Sequence, residues 1–202
     1  MKLQHKLLAL LLPPVIAGLG MRGTESAPAA MPLTGSSGDG TRLFLRVEGV
    51  QGASQDRIYR EWIEVDRYSL DAEGPTSIPA GGGGTRPPVE FGPLRTSGLM
   101  LRAFPGLAAR CASGQLISEV QLAVIKPDPS GGGSPYEAGR VTLQDVVVES
   151  MQTVGDLTPW MQTDLALNYA RIRIELREPR SSGGGGGTSR TWSWDIPNSR
   201  SW

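Results

Sequence analysis

The chain has 202 residues, with 20 basic and 20 acidic side chains, one histidine and one cysteine. Balanced charge gives no electrostatic case for a nucleic-acid partner or an anionic membrane surface. The only histidine, His5, lies at the extreme start, which leaves the body of the chain without an imidazole for acid/base work, a catalytic triad or a metal site.

Lys2, His5 and Lys6 precede an apolar run from Leu7 to Leu12, broken by Pro13 and Pro14 and followed later by Ala27, Pro28, Ala29 and Ala30. A positive start, an apolar middle and an A-x-A-like site read as a cleaved secretory signal over residues 1–30. The run is too short and too interrupted to span a bilayer, so no stable membrane anchor is expected. The competing reading is that the true start is Met31. Residues 31–41 read as a flexible segment, and 42–202 as a single domain of a length that can enclose one core. The leader places the protein in a secreted or periplasmic location, whereas a start at Met31 leaves it in the cytoplasm.

Leu43, Leu45 and Val47 alternate with Phe44, Arg46 and Glu48, the period-2 pattern of a strand with one wet face. A charged loop from Gln51 to Arg60 follows. Ile63 and Val65 then give way to Tyr68 and Leu70, a change of phase that a regular strand cannot make without a bulge or a corner. Pro105 suits the first turn of a helix, where its missing N–H costs nothing, and Gly114 suits a left-handed exit, so one short helix is predicted between them. Val120, Leu122 and Val124 alternate again. Val141 and Leu143 pass to Val146 and Val148, and Leu165 and Leu167 to Ile172 and Ile174, two more phase changes. Strands that turn corners belong to compact barrels and sandwiches, so the expected fold is mainly β, a compact β-barrel or two-sheet sandwich with one short α-helix and Gly-rich loops.

Gly81 to Gly84, Gly131 to Gly133 and Gly183 to Gly187 each fall between strands, and no Gly-Lys-Ser/Thr follows any of them, so they read as flexible loops and not phosphate cradles. Cys111 sits on the apolar side of the helix and reads as a structural thiol; being the only cysteine, it can form no internal disulfide. Carboxylate pairs such as Glu61 and Glu64, or Asp71 and Glu73, read as surface acids beside turns. Trp62, Tyr68, Tyr169, Trp192 and Trp194 read as core or contact aromatics. No catalytic, cofactor-binding or metal-binding residues are assigned, no cofactor is expected, and the protein is expected not to be an enzyme.

Four blocks in order resemble one family. Gly49, Gly52, Ser54, Asp56, Trp62, Ile63, Glu64, Val65, Tyr68 and Ser69 match its opening strand, turn and Trp-Ile-Glu-Val segment. Phe104 to Gly114 resembles its short helix ending in Cys-x-Ser-Gly. Tyr136, Leu143, Asp145, Val146, Val148 and Ser150 match a strand pair, and Leu165 to Leu176 resembles a Leu-Asn-Tyr/Phe strand, with Trp194, Asp195 and Ile196 at its end. The family is Hcp, the tube protein of type VI secretion systems. The resemblance implies a homo-hexamer of ring form, with stacked rings making a tube driven by a contractile sheath and small effectors carried in the lumen. It also implies type VI sheath and spike components as partners, and secretion from the cytoplasm through the apparatus if Met31 is the start. The alternative is an exported Hcp-like module that assembles or binds at the envelope or outside the cell. Ser69 matches the family's lumen-facing serine, although Leu70 and Asp71 replace the usual Trp-Gly after it. In the Gln51–Arg60 loop, Gln51, Ser54, Asp56 and Arg57 are candidates for contact between rings. Tyr59 and Leu116 stand where the family often carries histidine.

Overall fold

The computed structural model describes residues 33–36, 40–74, 89–155, 161–179 and 187–202. The secretory leader expected over residues 1–30, the Gly81–Gly84 run and most of the Gly183–Gly187 run lie outside them.

Eleven strands and one helix are described: β1 (Leu33–Ser36), β2 (Arg42–Val47), β3 (Ile63–Val65), β4 (Arg67–Leu70), β5 (Ala72–Glu73), β6 (Glu90–Phe91), β7 (Leu94–Gly98), α1 (Phe104–Ser113), β8 (Ile117–Lys126), β9 (Tyr136–Val154), β10 (Gln162–Arg177) and β11 (Ser189–Asp195). Nine of the strands form one curled antiparallel sheet in the order β1-β4-β7-β10-β9-β8-β2-β3, with β11 added to β10; β5 and β6 make a separate small ribbon. The fold is mainly β with one short helix, as the alternation and the corner signals predict. β1 falls within the segment expected to be flexible and pairs with β4, Leu33 opposite Leu70.

The phase change between Val65 and Tyr68 is where the curled sheet meets itself. β3 pairs with β2, while β4 pairs with β7. One continuous piece of chain therefore serves two strands of the sheet and turns at Asp66, whose N–H donates to the carbonyl of Ser97 at 2.7 Å. Inside the curl lie Leu43, Leu45, Ile63, Leu94, Leu122, Leu143, Leu165 and Leu167, together with Leu107 from the helix. Helix α1 packs against β9. It has Pro105 in its first turn and leaves through Gly114 at φ 64°, a conformation that costs a side-chain-bearing residue more than glycine. Cys111 is half-buried against the core.

The other two phase changes turn out to be one feature. On β9 the core residues pass from Leu143 to Val146, and on β10 from Tyr169 to Ile172. The register places Tyr169 opposite Val146 and Ile172 opposite Leu143, so both strands slip at the same level. β8 joins them, since Ile117 faces Val146 and Val120 faces Leu143. Across three neighbouring strands, two successive residues thus turn away from the core. Asp145 takes the turn with φ 54°, the left-handed region that aspartate tolerates better than most residues. Arg171 holds the crease from outside, donating to Asp145 at 2.5 Å and to Gln144 at 3.2 Å.

One expectation is corrected. Phe44 does not lie on a wet face: it is fully buried, at 0% exposure. The loop between β2 and β3 folds back over the outside of the sheet, so that Phe44, Tyr59, Ala123 and Ile125 form a second cluster, with Trp62 packed at its margin. Alternation correctly separated the two faces of β2; it could not reveal that a distant loop covers the outer one.

Candidate functional site

Two surfaces built by this frame carry the sequence-level candidates. The first is the outer face of β4, β7, β10 and β9, around Ser69. The core residues Tyr68, Thr96, Leu165 and Met151 are register partners across these four strands, so their sequence neighbours point outward. Two outward rungs result. One runs Arg67, Ser97, Asp164, Gln152, and the next runs Ser69, Arg95, Ala166, Ser150. Together they border an open depression of about 450 Å³. No side chain on either rung is both large and apolar.

Arg67, Arg95 and Asp164 are exposed, and Ser69, on β4 with Arg67 and opposite Arg95 of β7, is half-buried. Ser97 is buried and its hydroxyl accepts a hydrogen bond from Gln162 at 2.9 Å. Among the described residues neither Arg67 nor Arg95 has an ion pair; the salt bridges involve Arg42, Arg140, Arg171 and Arg190. Two guanidinium groups therefore stand on this face with no ion pair to a carboxylate among the described residues.

The second surface is the loop from Gln51 to Trp62. Its shape is fixed from within. Ser54, at 2% exposure, donates its hydroxyl proton to Glu64 at 2.8 Å and accepts from the N–H of Asp56. The Asp56 carboxylate accepts from the N–H groups of Ile58 and Tyr59 and from Arg42. The Ile58 bond foremost, with those of Tyr59 and Arg42, holds that carboxyl below its usual range against the opposing effect of burial. Gly52 donates to the carbonyl of Glu61 at 2.7 Å, and a Cβ there would lie 2.1 Å from the Trp62 carbonyl oxygen, so the close approach of the two chain segments requires glycine. Gln51 accepts from Arg102 at 3.1 Å. Arg57 and Ile58 point outward, Ile58 with 77% exposure. Of the four loop candidates, Ser54 and Asp56 are thus occupied in shaping the loop, while Gln51 and Arg57 lie on its surface.

Sequence reasoning did not find what anchors this loop. Tyr59 stacks on Phe44 at 4.6 Å and meets Trp62 edge-on. Its hydroxyl donates to Glu137 at 2.7 Å, and Arg140 grips the same carboxyl through two nitrogens, at 2.6 and 3.0 Å. Burial pushes the Glu137 carboxyl up, but the hydrogen bonds from Arg140 and Tyr59 outweigh it and hold the group below the usual range. The Tyr59 phenol is raised well beyond its ordinary value by burial first and by Glu137 second. The one available signal was Tyr59 itself, an aromatic in a polar loop at a place where the resembling family often has histidine.

Among the described residues no group of three or more histidine, cysteine or carboxylate side chains is placed to hold a metal ion. No helix of the described residues is long and apolar enough to cross a membrane. Both surfaces present chemistry suited to contact with another macromolecule: hydroxyls, guanidiniums and a rigid projecting loop.

Comparison with known proteins agrees. The fold matches a crystal structure of Hcp1 from Salmonella typhimurium with a TM-score of 0.65 at 22% identity, over 80% of this chain and 99% of the other. It matches a structure described as a type six secretion system protein with a TM-score of 0.70 at 19% identity, over 80% and 99% of the two chains. A type VI secretion system effector from Yersinia pestis gives 0.60 at 18% identity, over 76% and 99%. No curated protein sequence matches. This is the fold of type VI secretion proteins. The model of the family described as "Type VI secretion system effector, Hcp" matches residues 44–176, ending one residue before β10 does, and the chain belongs to that family.

Proposed function

We propose that this protein is a structural subunit of a type VI secretion tube, assembling as a homo-hexameric ring whose copies stack. The observation that carries the reading is the extent of the family match: residues 44–176 contain β2 from Phe44 onward, all of β3 to β9, the helix and all but the last residue of β10, hence the frame that positions both surfaces described above. The edges favour it too. β1 and β11 are each paired on one side only among the described strands, and unpaired strand edges are natural sites for a neighbour. A ring needs two different, complementary faces on each subunit.

In this reading the Ser69 face lines the lumen and meets small effector proteins in transit. The Gln51–Trp62 loop meets the next ring through Gln51, Arg57 and the projecting Ile58, while Ser54 and Asp56 keep it in shape. Sheath and spike components are the further partners, and the protein leaves the cell through the apparatus. Sedimentation of the purified chain should give a species of hexamer mass. Monomer alone at high protein concentration would overturn the ring.

A second reading is favoured by one feature of the sequence, the run from Lys2 to Ala30. If it is removed by a signal peptidase, the protein is an exported Hcp-like module that assembles or binds outside a type VI apparatus. N-terminal sequencing of native protein decides between the two. A mature start near Ala30 in an extracytoplasmic fraction rules out the tube assembled in the cytoplasm.

A further inference from the structure

We infer that the face around Ser69 selects for acidic protein segments, with Arg67 and Arg95 as the residues that recognise them. The inference rests on the reading of that face as a cargo surface and adds the chemistry of the cargo. Arg95 is the cross-strand neighbour of Ser69, and Arg67 that of Ser97, so the two guanidiniums stand on adjacent strands and successive rungs of one sheet face. Neither is neutralised by an ion pair among the described residues.

A guanidinium presents a planar fork of donors that fits a carboxylate in two-point contact. The half-buried Ser69 and the exposed Ser150, on the second rung, add hydroxyls that can donate to the remaining carboxylate oxygen or to a peptide carbonyl. Asp164 is the one acidic group on the two rungs, and it faces Ser97. The two rungs thus carry two guanidiniums against one carboxylate, an excess of positive charge that favours an acidic ligand.

A nucleic acid is a poorer fit. Neither rung carries an aromatic ring on which a base could stack. Repetition of the face around a ring multiplies weak contacts with one ligand, so single-site affinity need not be high.

The test uses the full chain and a fluorescein-labelled oligoglutamate peptide, with oligolysine and an RNA oligonucleotide as comparison probes, followed by anisotropy at low and at physiological salt. The expected result is salt-dependent binding of oligoglutamate, weaker binding of the other two, and at least about a tenfold loss in the double variant Arg67→Glu/Arg95→Glu, consistent with charge-pair contacts of ordinary strength. Arg67→Gln/Arg95→Gln serves if the reversal impairs folding, and Asp164→Asn should strengthen binding. Equal binding by wild type and arginine variants, absence of oligoglutamate binding, or preference for RNA or oligolysine would each overturn the inference. Sedimentation of the same samples separates it from the ring: hexamers that ignore the acidic peptide refute only the cargo chemistry, while monomers that bind it through Arg67 and Arg95 refute only the ring.

Discussion

The two faces of β2 carry the same kind of residue to different ends. Inward, Leu43, Leu45 and Val47 join a core fed by nearly every strand and by the helix. Outward, Phe44 joins a cluster of four buried residues roofed by a single loop. The inner core is closed by the whole sheet and can open only if the sheet opens. The outer cluster is closed by a segment held by a few hydrogen bonds and the Glu137–Arg140 pair, and it can open while the sheet stays intact. Local free energies of opening follow this distinction, ranging from near zero at loops up to the global value in the core.

Four experiments would break or sharpen that contrast. The largest effect is expected for Leu143→Ala, which empties a fully buried position at the crease of β9; the loss should be about 2–5 kcal/mol by denaturant titration, with no loss specific to the loop. Phe44→Ala removes more atoms but should cost less than that size implies, about 2–3 kcal/mol, because the loop can settle into the space. A cost above that of Leu143→Ala would show that the outer cluster is no satellite.

Tyr59→Phe comes next. It removes one donor to a carboxylate that Arg140 still holds, and about 1–2 kcal/mol should be lost. Hydrogen exchange should quicken in residues 51–62 with little change in β8 to β10. Uniform acceleration throughout the sheet would contradict independent opening of the loop.

The smallest effect is the acid sensitivity of the clamp. Glu137 is held below its unfolded value, so its contribution is fully present above the unfolded glutamate pKa and is lost as pH falls through the lower folded one. The same direction holds for Asp56. Loop exchange should therefore rise on acidification before the sheet responds, and Glu137→Gln should flatten that dependence. A loop that remains closed at pH values where both carboxyls are protonated would assign its closure to Phe44, Tyr59 and Trp62 alone.

The same contrast explains what could be read in the sequence. Core parity was legible because side chains in a strand alternate and the inward row must be apolar; even the three phase changes at Asp66, Asp145 and Ala170 stood out as breaks in that rule. The unity of the last two was not legible, because nothing local states that Leu143 faces both Val120 and Ile172. The helix ends were announced by Pro105 and Gly114. The Tyr59–Glu137 bond joins residues 78 apart in sequence, and such a pairing has no periodic signature. Ser69 was singled out by resemblance, whereas Arg67 and Arg95 became notable only when the register placed them on one face.

The crease across β8, β9 and β10 has a mechanical meaning as well. A flat strip bends easily about any line across it, while a strip folded once becomes stiff along the direction of its fold. Here the fold line crosses three strands, is set by the left-handed turn at Asp145 and is bolted by Arg171. Load running across the strands from β8 to β10 would thus be carried along a braced corner. A sheet corrugated in this way would resist buckling along the line of the crease.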